Sequence, residues 1–275
     1  MALFIGCPMW QHPDWQFQKH SDESKLASYA QFFGTVEGNT TFYSLPKAEV
    51  ALAWQKVAEQ GFRFSFKFPK PVTHEGKWTN CPEFEQFLGL LEGFSCLGPV
   101  QIQLPGSFGF PRLGELARFF GQLPSQYQYA VEVRNLDFFD KQEKERSFNR
   151  LLMDHGVGRT VFDTRPLFQM PPESPAIIDG HQKKPKMPLH VIATANFVLV
   201  RFIGYGQLEK NQRWFKPWIA KIQQWLAEGK DVYLFAHTPD NVQAPELGLD
   251  MQKVLLDLQE GAEQLTRVQP QNSLF

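Results

Sequence analysis

Apolar and polar residues alternate most clearly at Phe62–Phe68. Phe62, Phe64, Phe66 and Phe68 take one face, and Arg63, Ser65 and Lys67 the other. A period of two marks a β-strand. Seven more short runs read the same way: Leu3–Cys7, Thr35–Asn39, Pro99–Leu104, Tyr129–Asn135, Gly158–Asp163, Phe197–Gly204 and Asp231–His237. Between them the apolar spacing changes to that of helices, at Lys25–Phe33, Pro46–Gln60, Pro82–Phe94, Leu113–Leu123, Glu143–His155, Lys216–Ala227 and Pro245 to about Gln259. Gly34 and Gly61 stand where helix ends favour glycine, and Pro46 where a helix start favours proline. Glu260–Phe275 mixes polar and apolar residues without a readable period.

Eight strands alternating with helices predict a (β/α)8 TIM-like barrel of parallel strands, one domain over residues 1–275. A doubly wound sheet would show a phosphate-binding glycine fingerprint after the first strand, and Gly6-Cys7-Pro8-Met9 is not one. The section Thr164–Asn196 after strand six is proline-rich. A long structureless insert in a compact domain is often a functional lid, so 164–196 is read as one.

Composition narrows the partners. Net charge is −1, so no global basic field draws the chain to nucleic acid or anionic lipid. Three cysteines, Cys7, Cys81 and Cys96, form no CxxC pair, and an odd number fits a reducing cytoplasm better than a disulfide framework. Cys7 ends the first strand, where a nucleophile could sit, but a free cysteine there reads first as a small buried residue. Met1–Trp10 lacks the features of a signal peptide, and no run of about 18 apolar residues offers a membrane span.

Seven segments carry a resemblance: Ile5-Gly6-Cys7-Pro8-Met9-Trp10, Val36-Glu37-Gly38-Asn39-Thr40-Thr41-Phe42-Tyr43, Phe64-Ser65-Phe66-Lys67-Phe68-Pro69, Gln103-Leu104-Pro105, Glu132-Val133-Arg134, Val200-Arg201-Phe202-Ile203-Gly204 and Phe235-Ala236-His237-Thr238-Pro239-Asp240. Together they resemble the YecE-like family, a domain of unknown function with a TIM-barrel fold. The resemblance implies the barrel and no particular reaction.

In a barrel the apolar parity of each strand faces the helices and the polar parity faces inward. Candidate chemistry then gathers at the carboxyl ends of the strands. Strand two offers Glu37 and Asn39, strand three Lys67, strand four Gln103, strand five Glu132 and Arg134, strand six Asp163, strand seven Arg201 and strand eight His237. Buried charges must pair or meet a ligand. Arg134 and Arg201 would hold a carboxylate or phosphate by forked donors. Glu132, Lys67 and Asp163 would move protons. Glu37, Asn39, Gln103 and His237 would complete the lining, and Trp10 and Tyr43 in the exit loops would stack on a substrate ring. Gly204 and Gly206 would let backbone amides approach a phosphate.

Three functions fit this set. The first is an enzyme using acid/base chemistry on a small phosphorylated or carboxylated molecule, with no cofactor. The second is a metal-assisted phosphodiesterase or nuclease, with a divalent ion on Glu37, Glu132 and Asp163 and a nucleic-acid backbone on Lys183, Lys184 and Lys186. The Lys and Arg neighbours compete for those carboxylates, and no HxH or HExxH occurs, so no metal site is assigned. The third is a non-catalytic binding module using the same pocket.

Overall fold

A computed structural model describes residues 1–11, 25–58 and 61–267, with 257–267 by backbone alone. The nine strands among them are β1 (Leu3–Cys7), β2 (Thr35–Gly38), β3 (Arg63–Phe66), β4 (Val100–Gln103), β5 (Tyr129–Glu132), β6 (Gly158–Arg159), β7 (Val161–Asp163), β8 (Phe197–Ile203) and β9 (Asp231–His237). All pairings are parallel, as expected where helices separate consecutive strands. The fold is mixed α/β. The helices are α1 (Lys25–Ala30), α2 (Thr40–Tyr43), α3 (Ala48–Ala58), α4 (Lys70–Thr73), α5 (Pro82–Glu92), α6 (Leu113–Phe120), α7 (Glu143–Asp154), α8 (Pro175–Lys183), α9 (Gln212–Ala227) and α10 (Ala244–Arg267).

The strands form two arcs, not the unbroken ring expected. One has the order β3-β2-β1-β9-β8-β7 and the other β4-β5-β6. Two isolated parallel bridges, Phe64↔Leu97 and Lys67↔Gln101, span the first gap. The second gap falls inside the expected sixth strand, Gly158–Asp163. Its first half pairs with β5 and its second half with β8. There the Thr194 hydroxyl accepts the Arg159 amide at 2.7 Å and donates to the Val157 carbonyl at 2.7 Å. A side chain satisfies the backbone where a ladder would otherwise run.

The alternation of β3 has the predicted effect. Phe62, Phe64, Phe66 and Phe68 lie in the main core with Trp54, Phe84, Phe87 and Phe94. Phe64 stacks on Phe66 with centroids 5.1 Å apart, and Phe94 meets Phe66 edge-on at the same distance. The opposite parity of the strands builds a second, smaller core of Ala130, Phe197, Leu199, Tyr233 and Phe235. Gly158 makes room for it: a Cβ there would lie 2.7 Å from the Phe197 ring.

Three expectations about elements change. Section 164–196 is not structureless, since α8 lies within it, capped by the Ser174 hydroxyl accepting the Ile177 amide at 3.3 Å. Helix α9 begins at Gln212, one turn before the Lys216 start that the apolar spacing predicted, and carries Pro217 inside it. The last helix extends to Arg267. Residues 12–20 of the first exit loop, Gln60, and 268–275 of the tail lie outside the described residues.

Candidate functional site

Strands β2, β3, β4, β5, β8 and β9 deliver Glu37, Lys67, Gln103, Glu132, Arg201 and His237 to one buried cluster. The most exposed, Gln103, is only 9% accessible. Arg201 is its centre. Its Nε donates to Glu37 Oε2 at 2.7 Å and its Nη2 to Glu37 Oε1 at 3.0 Å, while Nη1 donates to Glu132. One guanidinium thus bridges two carboxylates, and Phe162 lies under it with its ring centroid 5.0 Å away. Lys67 Nζ lies 2.9 Å from Glu37 Oε1 and donates to Gln103 Oε1 at 3.2 Å. Arg134 Nε donates to Glu132 Oε1 at 2.7 Å. The Arg134 side chain is 22% accessible, which makes it the edge of the cluster nearest solvent.

Three cations thus face two carboxylates, and the protonation states follow. Burial pushes the Glu132 carboxyl up, but Arg201, Arg134 and Lys67 outweigh it and hold the group at about 2. Glu37 is likewise held well below the carboxylate range: burial opposes this, and Arg201, Lys67 and His237 prevail. Burial, then Arg201, bring Lys67 down to about 8, although Glu37 and Glu132 pull it up. Burial, partly offset by Glu37, lowers His237 to about 4. A neutral His237 whose Nε2 lies 3.0 Å from ionised Glu37 carries its proton on that nitrogen. At neutral pH the cluster therefore carries an excess positive charge.

The remaining predicted residues lie elsewhere. Asp163 shares its parity with Val161 and points away from the cluster. Its carboxylate accepts Arg165 Nε at 2.9 Å, Arg165 Nη2 at 2.8 Å and the Trp218 indole at 2.9 Å. Asp163 is therefore not beside Glu132, and the trio Glu37, Glu132 and Asp163 does not assemble. Among the described residues no group of three or more His, Cys, Asp or Glu has a metal-holding arrangement. Trp10 is buried in the main core, edge-on to Trp54 of α3 and Phe64 of β3. Asn39 donates to the Pro8 carbonyl at 2.9 Å and ties two strand exits together. Tyr43 is 81% exposed. Gly204 and Gly206 pack against the side chains of Asn211 and Gln243, so their role is close packing. Burial pushes the Cys7 thiol up, and the side chain lies in the main core.

The basic run of the insert does not form one face. Lys183 pairs with Asp179 at 2.7 Å on the surface. Lys186 sits over the Phe168 ring at 5.8 Å. Lys184 turns inward and donates to the carbonyls of Thr238 and Pro239 at 2.8 and 3.2 Å. Burial and Arg201 lower it to about 8. The sequence reading grouped Lys184 with Lys183 and Lys186 as a surface contact, since nothing distinguishes it in a Lys-Lys-Pro-Lys run. It missed Phe162, although the outward parity of Val161 and Asp163 implies an inward Phe162. His74 caps the C-terminal end of α4. It is lowered to about 4 by burial, then by Arg134 and Lys70, which again reports positive potential at this end.

The profile of the family described as "protein of unknown function DUF72" matches residues 4–273. The chain belongs to the DUF72 family. It is 40% identical over 279 residues to the UPF0759 protein YecE of Escherichia coli K12, covering 99% of this chain and 100% of the relative. The O157:H7 counterpart is 39% identical with the same coverage. Two solved DUF72 structures share the fold. One, from Enterococcus faecalis V583, has a TM-score of 0.69 at 19% identity, covering 93% of this chain and 96% of that one. The other, from Thermotoga maritima MSB8, has a TM-score of 0.61 at 20% identity, covering 93% and 100%. No helix of the described residues is long and apolar enough to cross a membrane.

Proposed function

We propose that the two arcs act as one (β/α)8 barrel whose strand-end cluster binds a small phosphorylated or carboxylated molecule, and that Lys67 moves a proton to or from it. One observation carries this reading: three cations converge on two buried carboxylates at the strand ends, with Arg134 nearest solvent. Buried ion pairs contribute little net stability, so packing is a poor reason to assemble them. An incoming anion balances the excess charge. Arg134 commits its Nε to Glu132 and keeps its terminal nitrogens for the ligand. Lys67, at about 8, exchanges a proton near neutral pH, while Glu132, at about 2, stays an ionised anchor. Free Cys7, Cys81 and Cys96 suit a reducing, cytoplasmic setting.

The test is thermal unfolding in phosphate, sulfate and chloride at matched ionic strength. At about a hundredfold excess over Kd, phosphate raises Tm by roughly 5–10 °C, and Arg134→Ala removes the shift. An identical Tm in all three salts overturns the proposal. A second reading, binding without turnover, draws on the full engagement of both carboxylates, Glu37 by Arg201 and Glu132 by Arg201 and Arg134. Anion binding that survives in Lys67→Met, with no turnover in the unaltered protein, favours it.

A further inference from the structure

A second cleft, of about 360 Å³, opens where section 164–196 meets the start of α9. It is lined by Arg165, Phe168, Lys186, Met187, Arg213 and Trp214, with the Gln169 amide at its edge. Three cations and two aromatic rings line it, and no acidic side chain does. Its volume is at the small end of ligand sites.

The cations are not equivalent. Arg165 is fixed: Asp163 takes its Nε and Nη2, and Asp163 is itself braced by the Trp218 indole. Those contacts leave Nη1 of a rigid guanidinium for a ligand. Lys186 and Arg213 are exposed and meet no carboxylate within 4 Å among the described residues. They rest on rings instead, Lys186 over Phe168 at 5.8 Å and Arg213 over Trp214 at 5.7 Å. Each ring also has a stacked neighbour that holds it, Phe168 with His181 at 5.0 Å and Trp214 with Tyr205 at 6.3 Å. Arg213 and Trp214 occupy the first turn of the sixteen-residue α9. Its N-cap residue, Asn211, makes no side-chain cap and spends its side chain on Tyr205 and Gln207. The positive end of that helix adds to the field at the cleft.

Rings held in place suit an aromatic heterocycle, cations suit a phosphate, and the volume suits one unit of the two together. We infer that this cleft binds a mononucleotide, its base against Trp214 and Phe168 and its phosphate between Arg165, Lys186 and Arg213. The base displaces the Lys186 and Arg213 side chains from the ring faces, which frees both for the phosphate. Gln169 reaches the base edge. The buried charged cluster is separate: Phe162, Leu167, Met170, Met187 and Ile203 pack as an apolar wall beside the cleft.

Isothermal titration of the full chain with adenosine monophosphate, adenosine and inorganic phosphate tests this. The monophosphate binds, and adenosine binds at least tenfold more weakly, as does inorganic phosphate in Arg134→Ala, where the strand-end cluster no longer takes it up. Arg213→Glu, at an exposed position, weakens monophosphate binding about tenfold or more. Trp214→Ala weakens it roughly 5- to 100-fold, as expected for loss of a stacking platform, and Trp214→Phe restores most of it. Arg134→Ala leaves it unchanged. Absent binding overturns the inference, as does binding lost in Arg134→Ala but kept in Arg213→Glu. Much tighter binding of a five-residue oligoadenylate than of the monophosphate also overturns it, in favour of a polynucleotide track.

Discussion

Ala130, Leu199 and Phe235 face the interior near the middle of their strands. Two residues later on the same strands, and facing the same way, stand Glu132, Arg201 and His237. The first layer fills its volume with hydrocarbon and needs no particular partner. The second closes only because each charge finds its opposite, and it still holds an unmatched positive charge. A sheet that needed only stability would continue the first layer to its end. The difference marks where the chain accepts a cost, and so where function is to be sought.

Substitution of Glu37 separates the layers most sharply. Glu37→Gln leaves Arg201 and Lys67 facing a neutral group in a buried site and costs about 3–5 kcal/mol. Leu199→Ala in the apolar layer costs about 2–5 kcal/mol through its cavity, but leaves the phosphate-induced Tm shift intact. Denaturant titration with and without phosphate compares them. A Glu37→Gln cost below about 1 kcal/mol would show that pairing does not hold the charged layer.

Acid distinguishes the layers next, because only one titrates. His237 sits at about 4 against an ordinary 6.5, so the unfolded chain takes up its proton first. Stability falls as pH drops from 6.5 through 4. Glu132 sits at about 2 against 4.5, and its contribution is lost as pH falls from 4.5 towards 2. His237→Asn should flatten the upper of these two windows and spare the lower. An unchanged slope between pH 6.5 and 4 in that variant would refute the buried neutral imidazole.

The smallest expected effect belongs to Asp163, outside both layers. Asp163→Asn weakens the bonds to Arg165 and Trp218 and costs about 1–3 kcal/mol. The phosphate-induced Tm shift stays at its unaltered value. If it vanishes instead, Asp163 acts at the strand ends after all.

Most strands were legible because alternation is a backbone property: β9 spans Asp231–His237, as the sequence predicted. Parity also carried the cluster, since Glu37, Lys67, Gln103, Glu132, Arg134 and Arg201 all turned inward. Asp163 failed by the same rule. It shares a face with Val161, and an apolar residue at that parity already signals the outward side. Trp10 and Asn39 follow strand ends, where period two no longer fixes direction. The break in the sixth strand was not legible, because the Thr194 hydroxyl that replaces the ladder lies 35 residues from Arg159 in the chain.

Strand β1 pairs with β9, so that Leu3 lies opposite Val232 and the Ala2 amide donates to Asp231. On a ribosome, β1 waits until some 230 residues have been made before that neighbour exists. At 5–20 residues per second this is roughly ten to fifty seconds. Through that interval Leu3–Cys7 presents an apolar strand with one unpaired edge to other nascent chains. Pairings this distant in sequence also form slowly. Of the strands paired in this structure, the first therefore waits longest with an edge unpaired, and that edge is open to wrong pairing meanwhile.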